Sequence, residues 1–226
     1  IEDAAESLGA KIRSKMVGTF GDANMFSFCQ NKVITTGEGG IIVTDSKEIY
    51  KKLRLLVSHG RAENQDYFSS DSKIDYLTLG YNFRMPTMIA ALGLSQLKKI
   101  EEIIEMRRKN AKYYTSYLSK IEGIKPPIIP YDFFHVYQMY TIQVENESRD
   151  KLRKYLADKG IFSKVYFDPI HLTKFYRKKF GFKEGNLPIT ERISKKVLTL
   201  PMYPMFKKEE MDYIIGWIKK FYEGET

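Results

Sequence analysis

The chain has 226 residues, 43% hydrophobic and 29% charged, ordinary proportions for a soluble globular protein with one large core or one core and a smaller lobe. No run approaches the ~20 apolar residues that a membrane span needs, and the single cysteine, Cys29, excludes an internal disulfide or a cysteine-cluster metal site. A net charge of +9 leaves three readings open: nucleic-acid binding, an enzyme for a phosphorylated or nucleotide-linked substrate, or a generally basic surface. The basic residues are spread along the chain and do not gather into one stripe.

The opening "IEDAAESLGA" reads as the end of a strand running into a helical turn, with no initiator methionine. That start suggests the carboxy-terminal part of something longer. "ANMFSF" and "GGIIVTD" read as short buried strands on either side of a turn that holds Lys32. "SKEIYKKLRLLVSHG" reads as a helix with Ser46 as its cap and Gly60 just past its end. "RAENQDYFSSDSKIDYLT" has no sustained period and reads as a long surface loop. From Pro86, suited to a first helical turn, a long helical stretch places Ala90, Leu94, Leu97 and Ile104 near one face and continues toward Leu118.

"KPPIIPYD" carries three prolines and marks the expected boundary, giving domains at 1–124 and 125–226. Beyond it the pattern predicts a strand in "VYQMYTIQV", a helix in "SRDKLRKYLADKG", a strand in "IFSKVYF", then a loop and a helix. That last helix sets Met211, Ile214, Ile215, Ile218 and Phe221 on one face. The whole reads as a larger α/β lobe followed by a smaller α+β lobe. Ligands of such pairs tend to lie between the lobes.

Asp3 would lie at the carboxyl end of a strand, where open α/β sheets place their ligands. Lys32 follows another short strand. A carboxylate and a lysine at neighbouring strand ends are what a pyridoxal phosphate enzyme requires: the amine bonds the cofactor aldehyde, and the carboxylate keeps the pyridine nitrogen protonated. Taken alone, the pair reads far more readily as two ordinary surface residues, and the cofactor reading is the minority one.

Four segments alter that balance. "EDAAESLGA", "GTFGDANMFSFCQNKVITTGEGG", "GYNFRMPTMIAALGLSQL" and "LPMYPMF" occur in this order in the sugar-nucleotide aminotransferases of the DegT/StrS type, members of the fold-type I pyridoxal phosphate superfamily. The chain resembles them over essentially its whole length. The resemblance implies part of the large mixed-sheet domain of such an enzyme plus its smaller α+β carboxy-terminal domain, with pyridoxal 5′-phosphate as cofactor and no metal.

Residue by residue, the resemblance implies that Asp3 partners the pyridine nitrogen and that Glu6 is a polar neighbour of the cofactor ring. It implies Ser27 as a hydroxyl donor to the cofactor phosphate, and Lys32 as the covalent anchor and the base that moves the proton. Asn82 matches an asparagine that reaches the phosphate of the neighbouring subunit's cofactor. Arg84 and His171 match substrate-side positions. Plainer readings stand beside these: Ser27 as a turn cap, Asn82 as a turn residue with positive φ, and His171 as a packed or solvated ring. His59 reads as a helix-end histidine, and Cys29 as a small buried apolar group. Gly37, Gly39 and Gly40 permit a tight turn after Lys32.

The resemblance further implies a nucleotide-linked keto sugar as substrate, L-glutamate as amino donor, a homodimer with shared active sites and a cytoplasmic location, without nucleic-acid or membrane partners. The wording of "NKVITTGEGG" through "GYNFRM" is similar to perosamine-synthase-like enzymes, which aminate carbon 4 of GDP-4-keto-6-deoxymannose to give GDP-perosamine. A UDP- or dTDP-linked sugar is the main competitor. Related sugar dehydratases replace the anchoring lysine with histidine, so Lys32 argues against that branch. A non-catalytic regulatory or binding protein on the same fold is the reading from another class. Relatives carry further residues before the position of Ile1, including a helix start that cradles the cofactor phosphate. The chain by itself is therefore expected to bind pyridoxal phosphate poorly.

Overall fold

The computed structural model describes residues 1–61, 75–145 and 147–224. In chain order its first elements are β1 (Glu2–Asp3), β2 (Lys11–Ile12), β3 (Lys15–Met16), β4 (Asn24–Ser27), β5 (Gly40–Val43), α1 (Lys47–Val57) and α2 (Thr87–Leu97). Then come α3 (Ile100–Leu118), β6 (Ile124–Lys125), β7 (Phe133–Phe134), β8 (Tyr140–Val144), α4 (Arg149–Asp158) and a single 3-10 turn (Ile170–Leu172). The chain closes with α5 (Lys174–Phe180), α6 (Pro188–Ser194), β9 (Val197–Leu200) and α7 (Lys208–Glu223). The long loop expected from Arg61 lies mostly outside the described residues.

Two compact units emerge, Ile1–Ile103 with Asp132–Val136, and Ile104–Tyr131 with Tyr137–Thr226. The division falls inside α3 instead of at the expected 124/125. The cause is the apolar stripe of α3: Ala111, Tyr114 and Leu118 are fully buried in the core of the second unit. The segment after the prolines, by contrast, returns Phe133 and Phe134 to pair with Ile12 and Lys11 in the first.

In the first unit β1 runs parallel to β4, with Asp3 opposite Met25, and β4 runs antiparallel to β5. A second sheet joins the β2–β3 hairpin to β7, and Arg13 donates to Asp132 at 3.1 Å. The cap of α1 is as the sequence predicts: Ser46 Oγ accepts from the Ile49 N–H at 3.3 Å. Gly60 follows with φ of +74°, and a Cβ there would lie 1.8 Å from the Thr78 carbonyl oxygen, so only glycine fits.

Three expectations change here. The strands beside Lys32 are only partly buried: Ile41 and Ile42, which alternate across β5, are 46% and 48% exposed. An apolar run hides both faces only when something covers both, and among the described residues nothing does so for β5. The helical stretch after Pro86 is two helices, interrupted at Lys98 and Lys99, and α2 has no buried residue. Pro86 itself is the cap before α2, in an extended conformation, one position earlier than a first-turn proline.

The second unit is built on an antiparallel sheet ordered β6-β8-β9. Against it lie α3, α4 and α7, whose stripes bury Leu118, Leu152, Leu156, Met211, Ile214 and Ile218. Burial pushes the Tyr140 hydroxyl up to about 12, although its hydrogen bond with Thr115, 2.8 Å long, opposes the shift. Arg107 is 5% exposed, and its Nη1 donates to the carbonyls of Tyr137, Gln138 and Met202 at 3.1, 3.4 and 3.5 Å. Desolvation lowers the pKa of this guanidinium from its ordinary value.

The strand expected in "IFSKVYF" reduces to one bridge, Lys164 with Thr199. The pairing partner is β9, a strand the periodicity did not reveal. With three of its four residues buried, β9 lacks the alternation that marks a half-exposed strand.

Candidate active site

Parallel pairing brings the ends of β1 and β4 out at the same edge of their sheet. After β1 the backbone turns at once. Ala4, 1% exposed, donates its N–H to the Met25 carbonyl, and Ser7 N–H returns to the Ala4 carbonyl at 3.0 Å. After β4 the chain makes a closed loop: Phe28 N–H meets the Gly39 carbonyl at 2.9 Å, and Thr36 N–H meets the Phe28 carbonyl at 2.9 Å. Inside that loop Lys32 N–H donates to the Cys29 carbonyl at 3.0 Å, and the next two side chains, Val33 and Ile34, are 6% and 2% exposed. The apolar pair anchors the backbone on the far side of the lysine.

The two turns meet through their side chains. Lys32 Nζ donates to Glu6 Oε1 at 2.7 Å, with the lysine 14% and the glutamate 37% exposed. From α2, Gln96 clamps the same loop, accepting from Thr35 N–H at 3.2 Å and donating back to the Thr35 carbonyl. Gly39 has φ of +154°, and a Cβ on it would come within 2.6 Å of Thr36 Oγ1, so this return of the loop also requires glycine.

The other anticipated residues of the first unit occupy neighbouring roles. Asp3 is exposed at the end of β1, its Oδ1 accepting from Ala5 N–H at 3.1 Å. Ser27 ends β4, and its Oγ accepts from Cys29 N–H at 3.3 Å, so the hydroxyl caps the turn. Asn82 bridges Ser58 in antiparallel fashion, and Arg84 Nη1 donates to Ser58 Oγ at 3.3 Å. The alternative of a positive φ at Asn82 is not met, since its backbone has no such angle. Cys29 is half-buried, with Sγ 3.5 Å from Glu38 Oε1.

His171 belongs to the second unit. It is 6% exposed and packs edge-on against Phe182, with ring centroids 5.9 Å apart. Its Nε2 donates to Glu191 Oε1 at 2.9 Å, and the same carboxylate accepts from Gly185 N–H and Leu187 N–H at 2.8 and 3.1 Å. Chiefly the Gly185 N–H, and after it His171, hold the Glu191 carboxyl below its ordinary range.

Three supporting residues escaped the sequence reading: Glu6 as the lysine's partner, Gln96 as the clamp and Glu191 as the ligand of His171. Gln96 carried a signal, a lone amide in the apolar run "IAALGLSQL". Glu191, twenty residues beyond His171, carried none. Among the described residues no helix is long and apolar enough to cross a membrane.

A lysine amine at the strand ends of a mixed α/β sheet, in a loop closed by glycines, is the layout of a pyridoxal-phosphate-type site. The chain belongs to the DegT/DnrJ/EryC1/StrS aminotransferase family, whose model matches residues 1–219. It is 36% identical over 226 residues to the GDP-perosamine synthase of Escherichia coli O157:H7, covering 100% of this chain and 58% of that protein. Helicobacter pylori PseC, an aminotransferase of pseudoaminic acid biosynthesis, superimposes with a TM-score of 0.90 at 28% identity, over 98% of this chain and 59% of that one. The PLP-form of Spr1654 of Streptococcus pneumoniae matches with a TM-score of 0.89 at 29% identity, over 99% of this chain and 57% of that one. The chain thus spans less than two thirds of the length of these relatives. Its fold is part of the mixed α/β fold of the fold-type I sugar aminotransferases.

The residues present fit pyridoxal 5′-phosphate by the chemistry of their donors. Lys32 offers a largely shielded primary amine for an aldehyde, Asp3 an exposed carboxylate for a pyridinium, and Ser27 a hydroxyl for a phosphate.

Proposed function

We propose that the protein carrying this chain is a pyridoxal-phosphate-dependent aminotransferase that converts a nucleotide-linked keto sugar to an amino sugar, with L-glutamate as donor. The observation that carries this reading is the Lys32 amine, 14% exposed and held 2.7 Å from Glu6 at the paired strand ends. When bound, pyridoxal phosphate supplies an aldehyde that bonds an amine and a ring that accepts electrons. Lys32 Nζ would be the amine that holds this group, and the base that moves the substrate proton. The Asp3 carboxylate would keep a proton on the ring nitrogen, Glu6 would stand beside the ring, Ser27 would serve the phosphate, and Asn82 would reach the phosphate of the neighbouring subunit's cofactor. Arg84 and His171 belong to the substrate side.

The chain's own packing supports the lysine's role. Val33, Ile34 and the Gln96 clamp fix the backbone of the Lys32 loop, so the amine is delivered to one place without an ordering cost at each turnover. The net charge of +9 suits a diphosphate-bearing substrate. The narrower reading is GDP-4-keto-6-deoxymannose to GDP-perosamine, supported by the 36% identity to the Escherichia coli enzyme of that name. A UDP- or dTDP-linked keto sugar is the competing substrate. A cytoplasmic homodimer with shared active sites accompanies the proposal.

The test is an assay of the full-length protein with glutamate and a panel of GDP-, UDP- and dTDP-linked keto sugars. Lys32→Ala should abolish turnover while leaving the fold intact, and unchanged activity would overturn the mechanism. Borohydride reduction separates an enzyme from a binding protein: only the enzyme should carry a reduced pyridoxyl group on the Lys32 peptide.

A further inference from the structure

We propose that Glu6 is the resting partner and the proton acceptor of Lys32 whenever the lysine amine is not bonded to cofactor. This rests on the aminotransferase reading above and gives Glu6 a duty different from that of a ring neighbour.

The geometry leads there in three steps. First, both side chains issue from backbone that cannot drift. Glu6 lies in the turn closed by the Ser7–Ala4 hydrogen bond beside buried Ala4, and Lys32 precedes buried Val33 and Ile34. The contact between residues 26 apart is therefore set by the fold and does not depend on two free side chains meeting by chance. Second, at 2.7 Å the bond is short and charge-assisted, the strong class of hydrogen bond. Third, exposure is unequal: the lysine is 14% open and the glutamate 37%. The amine is sheltered from solvent, and the carboxylate is its more open neighbour.

The chemistry requires such a partner. An ammonium has no lone pair, so Lys32 must lose a proton before Nζ can add to an aldehyde carbon. Glu6 Oε1 takes that proton. The carbon–nitrogen bond forms, and a second amine hydrogen moves to the former carbonyl oxygen. Glu6 then returns its proton to that oxygen, which leaves as water. One hydrogen stays on nitrogen, two leave in the water, and nothing is oxidised or reduced. The same exchange in reverse returns the freed lysine to its ion pair.

The experiment compares the full-length wild-type protein with Glu6→Gln and Glu6→Asp. Cofactor-free protein is treated with acetic anhydride at fixed pH, and acetylation of the Lys32 peptide is followed by mass spectrometry. Loss of the charge-assisted bond should raise Lys32 acetylation about tenfold in Glu6→Gln, with Glu6→Asp closer to wild type. Pyridoxal phosphate is then added and attachment at Lys32 trapped with borohydride over time. The freed amine should add at least as readily, but with no carboxyl at position 6 to return a proton to the departing oxygen the loss of water becomes limiting, so trapped attachment should fall on the order of 100-fold in Glu6→Gln and recover in part in Glu6→Asp. Equal acetylation in wild type and Glu6→Gln, or an unchanged attachment rate, would overturn the proposal. A wild type that traps no pyridoxal phosphate on Lys32 would instead sink the aminotransferase reading, and the acetylation contrast would still report on the ion pair alone.

Discussion

Glu191 binds His171 with one carboxylate oxygen and the Gly185 N–H with the other, at 2.9 and 2.8 Å. The carboxylate thereby closes the 185–187 turn onto a ring that is only 6% exposed. Its pKa is depressed in the folded chain, first by Gly185 and then by His171. A group with a lowered folded pKa stabilises the fold above its ordinary value, and the contribution fades as pH falls through that value to the lowered one. Urea unfolding followed by Trp217 fluorescence should show wild type more stable than Glu191→Gln near neutrality. The gap should close on acidification below about pH 4. A gap independent of pH would count against the linkage.

The β8 strand is the keel of the second unit. Ile142 is 0% exposed there, and truncating it should leave a cavity walled by rigid neighbours. Ile142→Ala should cost about 2–5 kcal/mol in denaturant unfolding, whereas Tyr131→Ala, at 103% exposure, should cost less than about 0.5 kcal/mol.

Arg107 ties α3 to two stretches of backbone through carbonyls that water does not reach easily. Arg107→Met keeps the apolar stem but removes the guanidinium donor to the carbonyls of Tyr137, Gln138 and Met202. The expected loss is about 3 kcal/mol. Calorimetry would check it, and a wild-type transition temperature would show that the carbonyls find other donors.

Gln96 grips Thr35 by both its backbone donor and its backbone acceptor, three residues past the lysine. In the proposed aminotransferase reaction of the full-length protein, Gln96→Leu should loosen the loop that presents Lys32 and lower kcat about tenfold, with KM for the proposed nucleotide-linked sugar little changed. Proteolysis or hydrogen exchange of the 29–39 segment should rise in parallel. A change confined to KM would place Gln96 elsewhere in the reaction.

Much of the local structure was legible because it is written in short-range patterns. Ser46 three residues before an amide it caps, and the Met211, Ile214, Ile215 and Ile218 stripe of α7, both follow from helical geometry alone. What stayed hidden depends on distance along the chain. β9 is recognisable only once β8 lies beside it, and the expected strand at 161–167 fails because just Lys164 finds a partner. The candidate residues of each unit divide in the same way. Lys32, Asp3 and Ser27 stood out through the wording of their segments, but no spacing rule connects Glu6 to Lys32 or Glu191 to His171. Those pairs exist because strand pairing and a helix turn bring remote residues within bonding distance.

That β5 is an edge strand among the described residues has a colloidal consequence. Among the described residues no strand pairs the outer edge of "GIIV", which shows two half-exposed isoleucines and no charged residue inside the strand to discourage pairing with another copy. What opposes such pairing is the mutual repulsion of chains that each carry +9. That repulsion has a range of about 10 Å in 0.1 M salt and shrinks to about 3 Å at 1 M. A solution of this 226-residue chain should therefore be clearest at low ionic strength and turn cloudy as salt is added, with β5 as the seam along which molecules zip together.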